Sequence, residues 1–161
     1  MATTNNVMLS EHFSLKEFLH SPKAEAAGIE NIAPHDVIKT GYKTALCMEK
    51  VRAVLKAPII TTSWYRCLDL NRLLKSADTS QHIQGEAVDF ICPKFGTPKD
   101  ICKFLVQNQS LIQFDQLILE HTWVHISFAI RSGKPRHQVL SLLASGGYSS
   151  GLTDAKGKPY N

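Results

Sequence analysis

The run Ala87-Val88-Asp89-Phe90-Ile91 sets one carboxylate in the middle of an apolar stretch closed by Pro93. Such a stretch reads as a buried strand, and a carboxylate buried there without a partner is costly. Asp89 therefore demands a cation, a metal or several hydrogen bonds, which the fold must bring to it. His82 stands seven residues upstream, with Gly85 between them. The glycine lets the chain bend so that a loop imidazole can face a strand carboxylate. A third residue of ligand type, His125, lies mid-strand in Trp123-Val124-His125-Ile126-Ser127-Phe128, on the face of Trp123 and Ser127. Two imidazoles and a carboxylate leave one position of a tetrahedral zinc ion open, the makeup of a catalytic rather than a structural site.

The elements around these residues can be read from pattern. Ser14 followed by Glu17 is a capping box that starts a short helix, with Phe13 as its staple and Pro22 against its continuation. A loop rich in Ala and Gly runs on to Pro34. From His35 to Lys56, Val37, Ile38, Ala45, Met48, Val51 and Leu55 recur at helical spacing, and Pro58 ends the run. Ile59 to Ser63 is a β-branched strand, and a short helix spans Asp69 to Lys75. Thr97-Pro98 opens a helix to about Gln109. Two apolar stretches follow, Phe114 to Glu120 and Trp123 to Ile130. Helices first, then strands with interleaved helices, argue a single α+β domain with a small, mostly antiparallel sheet.

At 161 residues the chain can bury a real core, and 43% apolar against 20% charged residues excludes a disordered protein. The net charge of +4 suits an anionic partner, yet no Lys/Arg run points to nucleic acid. No secretory signal and no membrane span is read, so synthesis in the cytoplasm is expected. Cys47, Cys67, Cys92 and Cys102 lack CxxC spacing and read as reduced core thiols.

The wording of these segments carries a resemblance. Ser80, His82, Gly85, Ala87 and Asp89 reproduce Ser-x-His-x-x-Gly-x-Ala-x-Asp, which closely resembles the signature of the zinc D-Ala-D-Ala carboxypeptidases. That family includes D,D-dipeptidases and phage L-alanyl-D-glutamate endopeptidases with a hedgehog-like metal fold. Thr62-Ser63-Trp64-Tyr65-Arg66-Cys67, then Leu70-Asn71, is similar to its Thr-Ser-x-Tyr-Arg-Ser and Leu-Asn. Trp123 to Ser127 resembles the segment bearing its last histidine, and Leu9 to Phe18 the opening of one branch.

The resemblance implies one Zn2+ on His82, Asp89 and His125, with a peptidoglycan stem peptide as substrate. Arg66 becomes the group that stabilises an oxyanion or holds a substrate carboxylate. Ser80, Tyr65 and Trp64 become substrate-binding residues, although Trp64 and Cys67 replace the family's usual Gly and Ser. Residues 9–145 then form the peptidase-like domain, 1–8 a disordered start and 146–161 a flexible, Gly- and Ser-rich tail.

The family's acid three residues before the last histidine is here Thr122, which cannot act as a base. One continuous strand would put His121 on the face of His125; a tight turn at His121-Thr122 would put Glu120 there instead. Glu120 is taken as general base and His121 as transition-state stabiliser or alternative base. The enzyme expected is a D,D-carboxypeptidase or L,D-endopeptidase, acting at the cell wall or periplasm or carried in a virion beside other phage proteins. The alternative is an inactive, peptidase-like structural or wall-binding module of a phage virion.

Overall fold

The computed structural model describes residues 6–161. Ser14 caps helix α1 (Leu15–Leu19) with the capping box its sequence encodes, Glu17 Oε2 accepting from the Ser14 amide at 2.8 Å. The stretch expected as a loop to Pro34 holds a second helix, α2 (Pro22–Ala27), capped by the Ser21 hydroxyl. It carried no apolar period to betray it, because Ala24 is its one buried residue. Helix α3 (His35–Leu55) buries Val37, Ala45, Met48, Val51 and Leu55 along one face.

Strand β1 (Ile60–Ser63), helix α4 (Leu68–Leu73) and strand β2 (Ala87–Ile91) follow. Helix α5 (Pro98–Gln107) starts at a Thr97–Asp100 capping box and is followed by the short α6 (Gln109–Ile112). Strands β3 (Gln116–Leu119), β4 (Val124–Ser127), β5 (Gln138–Leu142) and β6 (Tyr148–Ser150) complete the chain. The sheet order is β1-β2-β4-β3-β5-β6, antiparallel throughout except for the β3–β5 pair. This is an α+β domain.

Because side chains alternate across a strand, one face of the sheet is apolar and the other is functional. Val88, Phe90, Leu117, Val124 and Ile126 form the buried face, in one cluster with Met48 and Val51 of α3 and Ile101 and Leu105 of α5. On the opposite face the register aligns Ser63, Asp89, His125, Ile118, Leu140 and Ser150 in a single row across all six strands.

Two expectations at the chain ends need correction. Of the start expected to be disordered, residues 1–5 lie outside the described residues, but Met8 bridges Ser14 and the Val7 carbonyl accepts from the Leu15 amide. The segment after Gly146, expected as a flexible tail, carries β6 and a Thr153–Pro159 bridge. Three residues of strand are too few for a period to register against the surrounding Gly and Ser. All four cysteines are free, as expected, with Cys92 and Cys102 buried. Among the described residues, no helix is long and apolar enough to cross a membrane.

Candidate metal centre and cleft

Asp89 and His125 are direct cross-strand partners on β2 and β4, which places their side chains side by side on the functional face. His125 Nδ1 lies 2.9 Å from Asp89 Oδ1, and His82 Nε2 lies 3.3 Å from the same oxygen. His82 reaches it from the loop ahead of β2, where Gly85 turns the chain at φ +73°. One nitrogen from each imidazole and one carboxylate oxygen lie within 4.8 Å of one another.

The donor chemistry of this trio calls for a cation. The other nitrogen of His82, Nδ1, is 2.6 Å from the Trp64 carbonyl, which can only accept, so the proton of neutral His82 sits on Nδ1. Its Nε2 then turns a lone pair toward a carboxylate oxygen. Two electron-rich atoms facing each other in a buried site need positive charge between them. A proton on Nε2 would supply it, but burial disfavours the imidazolium and lowers the His82 pKa, with Asp89 pulling the other way. A metal ion suits the same geometry, and histidine hydrogen-bonded through its second nitrogen to a carbonyl is the usual support for a metal ligand. Burial works against ionised Asp89 too, and it is positive charge at His82 and His125 that holds its carboxyl below the usual range, the same charge the site calls for.

Arg66 occupies the second oxygen of Asp89, Nη2 donating to Oδ2 at 2.9 Å while Nε donates to Ser63 Oγ at 3.1 Å. Burial lowers its pKa, and Asp89 and Glu120 offset that by favouring the charged form. Its backbone is clamped by a residue the sequence reading passed over. Asn31 donates to the Tyr65 carbonyl at 3.0 Å and accepts from the Cys67 amide at 2.8 Å, gripping the chain on either side of Arg66.

The site opens into a cleft of about 1000 Å³ whose lining includes Ser80, His82, Asp89, Glu120, His125 and Arg66. The His121-Thr122 segment is a tight turn. The Glu120 amide donates to the Trp123 carbonyl at 3.2 Å, which puts Glu120 on the face of His125. Glu120 is 8% exposed, and burial raises its pKa, with Asp89 adding to the effect and His125 opposing it. Ser80 lines the cleft and its hydroxyl accepts from the His82 amide at 3.3 Å, so it holds the ligand loop.

Three expected site residues stand elsewhere. Trp64 is fully buried, its ring set edge-on against Phe13 and Phe18 and its Nε1 donating to the Gly85 carbonyl at 3.2 Å. It neither walls nor blocks the cleft. Tyr65 is buried against Phe18, its hydroxyl donating to the Ile32 carbonyl. Strand β1 ends at Ser63, and the chain beyond it turns inward to the core before Arg66 returns to the cleft. His121 is exposed at the hairpin tip and lies outside the cleft lining.

Residues the sequence did not mark also shape the site. Gln81, next to His82, donates to Glu86 at 3.3 Å and Asp115 at 3.0 Å, two buried carboxylates. Asp115 in turn is paired with Arg136 at 2.7 Å. Tyr148 of β6 lines the cleft together with Arg66 and Glu120. Contacts that join distant segments through single polar side chains leave no local pattern to find.

We find no curated protein that matches the chain. The family model described as Peptidase M15 matches residues 11–127, which takes in the capping box at Ser14, the Arg66 segment, His82, Asp89 and His125. The chain belongs to the Peptidase M15 family of metallopeptidases.

Proposed function

We propose that this protein hydrolyses an amide bond in bacterial peptidoglycan stem peptides, using one zinc ion held by His82, Asp89 and His125. The observation that carries the reading is the placement of Glu120 on the same sheet face as the ligand trio, with its carboxylate in the same cleft. A zinc ion there supplies Lewis acidity, lowering the pKa of a water and polarising a carbonyl. Glu120 takes the proton from the attacking water and returns it to the leaving amine. Burial has already made this carboxylate a stronger base than a solvated one. Arg66 fixes Asp89 in its ligating orientation and keeps a positive guanidinium at the cleft wall, where a developing oxyanion or a substrate carboxylate is stabilised.

The cleft charge supports an anionic peptide. Lys23, Arg66, Lys75 and Arg136 line it against Asp89 and Glu120. That balance, with the resemblance of the Ser80 to Asp89 segment, favours stem peptides, whose residues carry free carboxylates. A lytic protein of a phage, released at lysis or carried in the virion, is the setting that agrees with this substrate. The rival reading, an inactive module, rested on Trp64 and on Thr122. Trp64 is in the core, and Glu120 brings a carboxylate to the cleft where Thr122 has none to offer.

Incubation of the zinc-loaded protein with purified peptidoglycan, followed by mass spectrometry of the released peptides, tests the proposal. New amine and carboxyl termini within stem peptides are expected from wild type and not from Glu120→Gln. Intact sacculi after prolonged incubation would overturn it.

A further inference from the structure

Glu120 is nearly buried, yet among the described residues its carboxylate has a single hydrogen-bonding partner. That partner is the phenol of Tyr148, which donates to Oε1 at 3.5 Å. Tyr148 stands outside residues 11–127, on an edge strand two places beyond the end of β3 in the sheet order. Its placement is determined by the sheet. Leu142 pairs with Tyr148 across β5–β6, and Leu119 pairs with Ser141 across β3–β5. Continuing that register by one residue aligns Trp123, Glu120, Leu142 and Tyr148 in a second row, parallel to the row of the metal ligands.

The hairpin that delivers Tyr148 is well tied. Gly146 and Gly147 turn it at φ +87° and +75°, and the Leu143 amide donates to the Gly147 carbonyl at 3.0 Å. Ser141 Oγ donates to the Gly151 carbonyl and accepts from the Thr153 amide, fastening the far side of β6. Tyr148 itself is 52% exposed, so packing alone does not explain an aromatic ring held over the cleft. A general base needs a fixed direction and free lone pairs. One long hydrogen bond to one oxygen gives the first and preserves the second, and such contacts tighten when substrate binds.

We infer that Tyr148 is a positioning residue of the active site, aiming the Glu120 carboxylate from the C-terminal β5–β6 hairpin. The inference rests on the hydrolase reading above. Tyr148→Phe keeps the ring and removes only the donor. It should lower kcat about tenfold, near the worth of one hydrogen bond, with KM within about twofold and the zinc content unchanged. The acid limb of kcat should move to higher pH, because the phenol favours ionised Glu120. Ser149→Ala, which loosens the same strand through its bond to Thr153 at 2.6 Å, should leave kcat and its pH profile as in wild type.

A second measurement does not need turnover. A carbon-13 carboxyl titration of the zinc-free protein should show the Glu120 pKa raised in Tyr148→Phe relative to wild type. Wild-type kcat and pH profile in Tyr148→Phe, or an equal loss in Ser149→Ala, overturns the role. A wild type that holds zinc but cleaves no stem peptide overturns the hydrolase reading instead, and the titration then decides alone whether Tyr148 holds Glu120.

Discussion

His82 Nδ1 lies 2.6 Å from the main-chain oxygen of Trp64, so a residue of the core sets the tautomer of a residue of the metal site. The contact uses the backbone of Trp64, while its indole is locked between Phe13 and Phe18 and the Gly85 carbonyl. The bulky side chain thus fixes the height of the carbonyl that orients the ligand.

Metal content is the first consequence. The wild type purified without chelators should carry about one zinc ion per chain, and His125→Ala little, because a site with two ligands left binds far more weakly. Removing the metal leaves Nε2 of His82 facing Asp89 Oδ1 at 3.3 Å with no charge between them. A chelator should therefore lower the wild-type Tm by roughly 5–10 °C, the shift expected from losing a ligand held at a hundred times its Kd or more. Elemental analysis and a thermal melt check both, and an unchanged melt would count against the site.

Arg66 should matter to stability as well as to turnover. It is one partner of a buried carboxylate, with its Nη2 at 2.9 Å from Oδ2. Arg66→Ala leaves that oxygen unpaired and should cost about 3 kcal/mol, since Asp89 keeps its two imidazoles. Loss of a charge aimed at the reacting carbonyl should cost on the order of 100-fold in kcat. Arg66→Lys should recover part of the stability and little of the rate, as an ammonium lacks the planar fork whose Nε and Nη2 reach Ser63 and Asp89 separately. Urea melts and peptide-release rates on the two variants separate these effects.

Glu120→Gln should hold zinc and lose about 100- to 10,000-fold in kcat, the usual worth of a general base. Its effect on stability has the opposite sign. Burial foremost, then Asp89, raises the folded pKa of Glu120. Whatever this group adds to the fold is complete below its unfolded pKa and is lost as pH rises through the folded one. In the zinc-free protein, Glu120→Gln should gain on wild type as pH rises upward from the ordinary carboxylate range, about pH 4. Thermal melts across that rise check the direction, and a gap that narrows would mean that Glu120 is not desolvated in solution.

Much of this was legible in the chain itself. Ser14 with Glu17, Thr97 with Asp100, and the period of α3 each carry their signal within a few residues, and the structure has those elements in place. That His82, Asp89 and His125 come together was legible because Asp89 inside an apolar strand is a local contradiction that only a partner resolves. Helix α2 and strand β6 were not, being short and carrying few buried residues to mark a period. Trp64 misled for a different reason. Its neighbour Arg66 faces the cleft, and sequence adjacency does not reveal that the chain turns inward between them. Asn31, Gln81 and Tyr148 act across 34 or more, up to 36, residues in their key contacts in two of the three cases, and 28 in the third, so no window on the sequence contains both ends.

Gly85 offers the sharpest test of how the loop and the strand are joined. It sits at φ +73°, a conformation that costs a residue with a side chain about 1 kcal/mol or more. A Cβ there would also meet Phe18 Cζ at 3.0 Å and the Val37 carbonyl oxygen at 3.2 Å. The phenyl ring is held by Trp64 and Tyr65, and the carbonyl belongs to α3, so neither yields easily. Gly85→Ala should therefore destabilise the fold by about 2–4 kcal/mol, strain and overpacking together. It should also loosen zinc, because the displaced turn carries His82. If zinc affinity falls along with the melting temperature, the turn sets the ligand geometry. A destabilised variant that binds zinc as tightly as wild type would show that His82 is held by Trp64 and Ser80 alone.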